Sequence, residues 1–363
     1  MKTIVVRLQE RSYEIRIAAG SIDELGALAR RALGERARRA VVVTNSRLDG
    51  LYGARARRAL FAADLAVHKF LIGDGERFKT LRSAESILTF LIERGIERSD
   101  VIVALGGGVV GDLAGFASAV YLRGIRLVQV PTTLLAQIDS SVGGKTGVNH
   151  KLGKNLVGAF HQPSLVVIDP QTLSTLPPRE MRSGLYEALK YGVISDARLF
   201  HRIARETNLL TNFDQDALDH LIARCCAIKA SVVSRDELES GLRKTLNFGH
   251  TVGHALEAVT NYRRFRHGEA VGHGMRAAAR IAERLDLLSV GDRLAIDGAV
   301  SGIGDLPAAN TLALDAIISA MNHDKKAEAG RTTFVLPVKI GQVVIKSDVP
   351  SRVVRSALKD AFA

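Results

Sequence analysis

Cysteine is nearly absent: the 363-residue chain has two, adjacent at Cys225 and Cys226. Neighbours on a helix are badly placed to pair with each other, so no internal disulfide is expected. The setting this predicts is reducing and cytoplasmic. Long apolar runs are missing too. The longest, around 101–121, is interrupted by glycines and by Asp112, which argues against a membrane-spanning helix. The opening residues, Met1-Lys2-Thr3-Ile4-Val5-Val6, pass directly into a strand pattern rather than a signal-peptide pattern. Nowhere do aromatic and basic side chains interleave, and no reading helix is apparent. No nucleic-acid partner is therefore expected, despite a formal charge of +12. Internal repeats and low-complexity blocks are also lacking.

Hydrophobic residues make up 47% of the chain, and its length is enough for two domains with ordinary cores. Arginines stand among alanines in Arg30-Arg31, Arg36-Ala37-Arg38-Arg39 and Arg55-Ala56-Arg57-Arg58, the pattern of solvated helix faces. An anionic small-molecule substrate needs only a few such cations, focused in a cleft. The first half alternates strand and helix signals. Ile4–Leu8 and Tyr13–Ile17 read as a hairpin, Ala40–Thr44, Val101–Leu105, Leu127–Val130 and Leu165–Ile168 as buried strands. Ile22–Leu33, Thr80–Arg94 and Asp112–Val120 read as helices. Short β-branched runs separated by helices predict a largely parallel sheet covered on both faces. Beyond Pro177-Pro178, helical periodicity dominates from Arg179 through Arg205, Gln215 to Arg235, Gly249 to Val259, Gly268 to Leu287 and Leu312 to Met321. One β-like piece, Thr332–Leu336, interrupts it. The expected architecture is a mostly parallel, Rossmann-like α/β domain over 1–176 and a mainly α-helical domain over 177–363.

Two polar, glycine-rich blocks suggest anion binding. Gly106-Gly107-Gly108-Val109-Val110-Gly111-Asp112 follows a strand and opens a helix, and satisfies G-x-G-x-x-G. Glycines there permit a tight turn and let backbone amides approach a pyrophosphate. The acidic residue usual some twenty positions later is missing, so a dinucleotide would bind with a different geometry. A bare packing turn between strand and helix would carry the same glycines. The second block, Gln137 to Asn149, combines hydroxyls, glycines and Lys145 as an anion cradle does, although its spacing fails the P-loop pattern.

The most informative window is 243–269. In Asn247-Phe248-Gly249-His250-Thr251-Val252-Gly253-His254, two imidazoles stand four residues apart, and His267-Gly268-Glu269 follows. On a helix His250 and His254 would share one face. Glu187, upstream in Tyr186-Glu187-Ala188-Leu189-Lys190, offers a carboxylate. One carboxylate and two imidazoles suit a borderline divalent metal with an open coordination position. Taken singly, His254 would be a packing residue and Glu187 with Lys190 an ordinary helix ion pair. His161, His201 and His220 have no partner at useful spacing and read as structural or surface residues.

These motifs, in this order, resemble the 3-dehydroquinate synthase family of the sugar phosphate cyclase superfamily. The resemblance runs through Asp74-Gly75-Glu76-Arg77-Phe78-Lys79, the triple-glycine loop, Pro131 to Gln137 and Asp139 to Asn149. It continues through Lys154 to Phe160, Glu187 to Lys190, Arg243 to His254, His267-Gly268-Glu269-Ala270-Val271 and His323-Asp324-Lys325-Lys326. Tyr186 and Lys151 depart from the family's usual residues. The resemblance implies a carbon–oxygen (phosphate-eliminating) lyase of the shikimate pathway. Its reaction converts 3-deoxy-D-arabino-heptulosonate 7-phosphate to 3-dehydroquinate and phosphate, through transient oxidation by NAD, elimination, reduction and intramolecular aldol closure. It further implies a divalent metal, zinc or cobalt, on Glu187, His250 and His267, leaving His254 as a proton-handling neighbour. NAD contacts are implied at Asn45, Asp74, Gly75, Glu76, Lys79, Gly106, Gly107, Gly108, Val109, Val110, Gly111, Asp112, Thr132, Thr133, Asp139, Lys145, Lys154, Thr172, Leu173, Ser174 and Thr175. Substrate would be held by Lys145, Asn155, Lys190, Lys229, Arg243, Asn247, His254 and Lys325. Arg123 resembles an arginine that reaches a neighbouring subunit's phosphate pocket, which implies a homodimer.

Three rival readings remain. Another sugar phosphate cyclase would act on a substrate without the carboxylate, and Lys229, Asn247 and His254 beside Arg243 speak against it. A metal-dependent polyol dehydrogenase would release NADH and need fewer phosphate donors. A non-catalytic binding protein would have no reason to keep the metal and cationic positions.

Overall fold

Every β-branched run singled out in the first half lies in a strand, because a residue such as Val or Ile packs its branched side chain well on a pleated surface, and further strands join them. In the computed structural model, which describes residues 1–324 and 332–363, the strands of this region begin with β1 (Lys2–Val6), β2 (Tyr13–Ile17), β3 (Arg39–Asn45), β4 (Ala66–Ile72), β5 (Val101–Gly106) and β6 (Arg126–Pro131). They are followed by β7 (Lys145–His150), β8 (Gly153–Phe160) and β9 (Leu165–Ile168). Seven of them form one sheet in the order β1-β2-β9-β6-β5-β3-β4. The β1–β2 pair is antiparallel, and every other pairing in that sheet is parallel.

Alternate residues of the central strands enter two separate cores. Ala40 and Val42 with Val101, Val103 and Leu105 meet Leu25, Ala29, Ala56 and Leu60 from helices Leu25–Leu33 and Ala54–Phe61. Val41 and Val43 with Ile102 and Ala104 meet Ile87, Leu91, Leu113 and Ala117 from helices Leu81–Glu93 and Gly108–Val120. Both faces are covered, which is why these strands read as continuous apolar runs rather than alternating ones. Each fully buried Val, Leu or Ile contributes roughly 1.5–3 kcal/mol of transfer free energy.

The chain forms two compact units, and neither is one continuous stretch. The first is Met1–Leu176 with Leu218–Glu237; the second is Pro177–Ala217 with Leu238–Ala363. The division at 176 therefore needs correcting for residues 218–237. Helical periodicity shows that Gln215–Arg235 is a helix but not which core receives it. In the first unit Cys226 Sγ lies 3.2 Å from the Gln137 carbonyl oxygen, and Ser234 Oγ accepts from the Arg7 amide at 2.9 Å.

The second unit is built on helices Pro178–Ser195, Ala197–Thr211, His250–Val259, His267–Arg284, Val290–Ile303, Leu314–Asp324 and Ser351–Phe362. An antiparallel hairpin of β10 (Phe334–Lys339) and β11 (Gln342–Lys346) completes it. The single helix expected over 179–205 is two, because Asp196 leaves the helical region and its carboxylate caps the next helix at Leu199 N, 3.1 Å away. Among the arginines read as solvated, Arg30 is instead a clamp that donates to the carbonyls of Ala37 and Ala63. Among the described residues, no helix is long and apolar enough to cross a membrane.

Candidate metal and nucleotide sites

In the second unit, three segments deliver Glu187, His250 and His267 to one point. Helix Pro178–Ser195 opens on a proline at its first position, where the missing amide costs nothing, and carries Glu187 on a fully buried face. A Cβ on Gly268 would lie 1.9 Å from the Ser183 carbonyl oxygen, so only glycine lets helix His267–Arg284 approach there. The Gly268 amide donates to Ser183 Oγ at 3.0 Å. Since Ser183 stands one turn before Glu187, that contact brings His267 opposite the carboxylate. Gly249 takes a left-handed φ of +79° immediately before helix His250–Val259, which places His250 at the helix start.

The ligand-capable atoms of these three side chains all lie within 4.8 Å of one another. Glu187 Oε1 is 3.6 Å from His250 Nε2 and 3.5 Å from His267 Nε2. Those gaps are too long for hydrogen bonds. They match donors held about 2.0–2.2 Å from a shared tetrahedral ion, which sit roughly 3.4 Å apart. Glu187 Oε1 is buried and accepts no hydrogen bond among the described residues. A buried carboxylate oxygen in that condition is costly unless a cation meets it. The residues present therefore fit a divalent cation. On the other carboxylate oxygen, Lys190 Nζ forms an ion pair at 2.6 Å.

The imidazoles are poised unequally. Burial, reinforced by Lys190, His267 and His254, holds the His250 pKa well below the usual histidine value. Burial acts in the same direction at His267, but the hydrogen bond to Glu257 and the charges of Glu257 and Glu187 outweigh it and raise that pKa. His254 is exposed, its ring centroid 5.3 Å from that of His250 and 5.9 Å from that of His267. It stands beside the three-atom cluster with Glu187 rather than in it. Arg243 is buried in the turn Leu242–Asn247, and Asn247 Nδ2 donates to Glu239 Oε1 at 3.1 Å. Tyr186 is buried and donates its hydroxyl to the Gly304 carbonyl at 2.8 Å, which accounts structurally for this departure from the family pattern. Lys325 lies outside the described residues. Sequence reasoning missed Glu257, a buried carboxylate on the helix of His250 and His254.

The first unit gathers the other residues singled out by the sequence. Gly106 ends β5, Gly107 precedes helix Gly108–Val120 without a side-chain cap, and Val109, Val110 and Gly111 form its first turn. None of Gly106, Gly107, Gly108 or Gly111 is left-handed, so the glycine run serves close packing and not an unusual turn. An uncapped helix start leaves amides available to a phosphate. Thr132 Oγ1 is buried with no hydrogen-bond partner among the described residues, while Thr133 Oγ1 accepts from Ala136 N. Asn45, at the end of β3, donates to Asp74 Oδ1 at 2.9 Å, and Gly75 starts the turn Glu76–Phe78 with φ +94°. Lys79 Nζ bridges Asp112 and Asn155, the latter in a left-handed conformation. Lys154 approaches Glu76 at 3.9 Å. Thr172, Leu173, Ser174 and Thr175 lie in the turn Pro170–Thr175, where Tyr52 OH meets Thr175 Oγ1 at 2.6 Å. An orphaned hydroxyl beside uncapped amides fits a dinucleotide. Lys145 begins the hairpin β7–β8 on an exposed position, and Lys229 Nζ pairs with Asp139 through both its carboxylate and its carbonyl, the latter at 2.7 Å. Arg123 is exposed on the turn Tyr121–Arg123 with φ +64°. Burial pushes the Cys226 thiol up to about 12, the mark of a packing residue rather than a nucleophile.

Comparison with known proteins places the chain in a family. A family model for the 3-dehydroquinate synthase N-terminal region matches residues 69–183, and one for the 3-dehydroquinate synthase C-terminal region matches residues 184–327. The chain is 50% identical over 360 residues to a curated 3-dehydroquinate synthase of Gloeobacter violaceus, covering 99% of each. Among solved structures, it is similar to a 2-epi-5-epi-valiolone synthase from Streptomyces hygroscopicus with NAD+ and Zn2+ bound (28% identity, TM-score 0.88, 99% of each chain). It is also similar to a 2-deoxy-scyllo-inosose synthase complexed with carbaglucose-6-phosphate, NAD+ and Co2+ (27% identity, TM-score 0.89, 99% of each chain). The chain belongs to the 3-dehydroquinate synthase family.

Proposed function

We propose that the chain converts 3-deoxy-D-arabino-heptulosonate 7-phosphate to 3-dehydroquinate and inorganic phosphate. NAD is recycled within each turnover, and Glu187, His250 and His267 hold the divalent cation, zinc or cobalt. The observation that carries this reading is the buried Glu187 oxygen, without a donor among the described residues and flanked by two imidazole nitrogens. When bound, the cation supplies Lewis acidity toward the substrate's oxygens and NAD supplies a reversible two-electron acceptor.

The chain's own residues bind and orient the substrate. Lys190 is fixed beside Glu187 and donates to hydroxyls placed there. The planar fork of Arg243 matches a carboxylate by two parallel contacts, and Lys229 adds charge to it. Lys145, Asn155 and Lys325 take the phosphate, each charged hydrogen bond contributing on the order of 1.5–3 kcal/mol. Asn247 adds a further substrate contact, and His254, exposed beside His250 and His267, relays protons. NAD is bound by the amides at Gly108 to Gly111, by Thr132 and Thr133, and by the Asn45, Asp74 to Lys79, Asp112, Asp139, Lys154 and Thr172 to Thr175 side of the first unit. A homodimer in the cytoplasm, with Arg123 reaching the partner copy's phosphate pocket, completes the reading.

The deciding assay supplies purified chain, a divalent metal, catalytic NAD and the heptulosonate phosphate. Phosphate release without accumulation of NADH is expected. Steady NADH formation would make the chain a dehydrogenase. The 27–28% identical structural neighbours favour, as a second reading, a cyclase acting on a substrate without a carboxylate. Turnover of a sugar phosphate without a carboxylate, in place of the heptulosonate, would support it.

A further inference from the structure

The two imidazoles at the cation site are held from behind in different ways. On each, Nε2 faces Glu187 Oε1 while Nδ1 faces away. His250 Nδ1 lies 3.1 Å from the Phe248 carbonyl oxygen, a neutral acceptor two residues back in its own chain. His267 Nδ1 lies 3.1 Å from Glu257 Oε2, and Glu257 is a carboxylate 4% exposed. Glu257 comes from another helix, His250–Val259, where it stands seven residues after His250. That spacing returns it to nearly the same face two turns later.

We infer that Glu257 is a positioning residue for the cation: it holds the proton of His267 on Nδ1, so that the Nε2 lone pair is presented to the metal, and fixes the plane of that ring. An ionised carboxylate only accepts hydrogen bonds, so a neutral imidazole facing it must carry its proton on the near nitrogen. A hydrogen-bonded carboxylate also makes the far nitrogen a better donor to a cation. The inference rests on reading Glu187, His250 and His267 as the ligands. Because Glu257 belongs to the helix of His250, one rigid element sets both rings, one as ligand carrier and one as ring holder. Helix His267–Arg284 then supplies only the imidazole itself.

The test is metal affinity of the full chain, read by competition with a chromophoric chelator for zinc and by the visible spectrum of the cobalt form. Glu257→Gln preserves shape and an acceptor oxygen but removes charge; Glu257→Ala removes the acceptor. The expected zinc affinity falls about 10- to 100-fold for Glu257→Ala and less for Glu257→Gln, with stoichiometry one in both. The cobalt spectrum should shift in Glu257→Gln even at saturating metal, a change that loss of packing would not produce. His250→Ala is the control for the ligand reading and should lose stoichiometric binding. If His250→Ala loses metal while both Glu257 variants bind zinc within twofold of the unaltered chain, the positioning role fails and the ligand set stands. If His250→Ala also binds normally, the ligand set itself is wrong. Two equivalents of zinc in the unaltered chain, reduced to one by either Glu257 variant, would make Glu257 a ligand and overturn the inference.

Discussion

At the scale of single residues, the cation site depends on atoms whose value comes from their surroundings. Glu187 beside Lys190 looks in sequence like any exposed helix ion pair, worth well under about 1 kcal/mol. In the structure both are buried, and one carboxylate oxygen has no donor among the described residues. Arg243, also buried, is the side chain most suited to a carboxylate. Arg243→Ala should therefore raise KM for the heptulosonate phosphate by at least about 10-fold, or roughly 1.4 kcal/mol, while leaving the NAD dissociation constant nearly unchanged. Steady-state kinetics and fluorescence titration with NAD would measure the two; equal losses in both would remove Arg243 from the substrate contacts. Spacing alone marks Glu187 and a helix face shared by His250 and His254; the set Glu187, His250 and His267 is what the family resemblance implies. Glu257 was not legible, since a glutamate in a helix is by default a solvated one, and only the approach of a second helix turns it toward His267. Gly268 was equally silent: its meaning is the Ser183 backbone, 85 residues earlier in the chain, lying against it.

At the scale of elements, strands buried on both faces were read to within a residue or two, as at β3, β5 and β9. β4 escaped because Ala66–Ile72 carries His68 and Lys69 on a sheet edge, where polar side chains reach water. The hairpin β7–β8 escaped because its glycines, lysines and asparagines have low strand propensity, and pairing with its own return strand holds it. The break at Asp196 makes a measurable claim. Asp196→Ala removes the cap on Leu199 N and should cost about 1 kcal/mol in urea unfolding, with no change in metal affinity. Helix His267–Arg284 also carries His273, whose ring sits between Phe265 and Phe362 and whose Nε2 lies 2.9 Å from the Pro307 carbonyl oxygen. Burial, only partly offset by that hydrogen bond, pushes its pKa down to about 4. The folded value is below the unfolded one of about 6.5, so the neutral form's contribution is complete above pH 6.5 and is lost as pH falls toward 4. Over that window the loss is on the order of 3 kcal/mol. Comparing urea unfolding of the native chain and His273→Asn from pH 7 to pH 4, the variant should show the shallower dependence.

At the scale of the whole molecule, the cation couples binding to stability. Ligands that exist only in the folded chain convert metal affinity into resistance to unfolding, by about 2.7 kcal/mol at a free metal concentration a hundred times the dissociation constant. Stripping the metal with a chelator should lower Tm by several degrees and stop phosphate release, and restoring zinc or cobalt should recover both. A melting temperature indifferent to chelation would mean that the Glu187 cluster holds no ion. The broad division of the chain was legible, since strand-rich and helix-rich halves differ in period. The return of residues 218–237 to the sheet-bearing unit was not, because a helix's periodicity is blind to the core that receives it. That excursion has a consequence for biosynthesis. A ribosome that has delivered Leu176 has exposed every strand of the large sheet but not the helix carrying Cys226 and Lys229. The sheet-bearing unit must therefore wait, incomplete, for some sixty further residues to be translated. A gene cut at codon 176 should yield a fragment prone to aggregation, and one rescued by supplying the missing helix in trans.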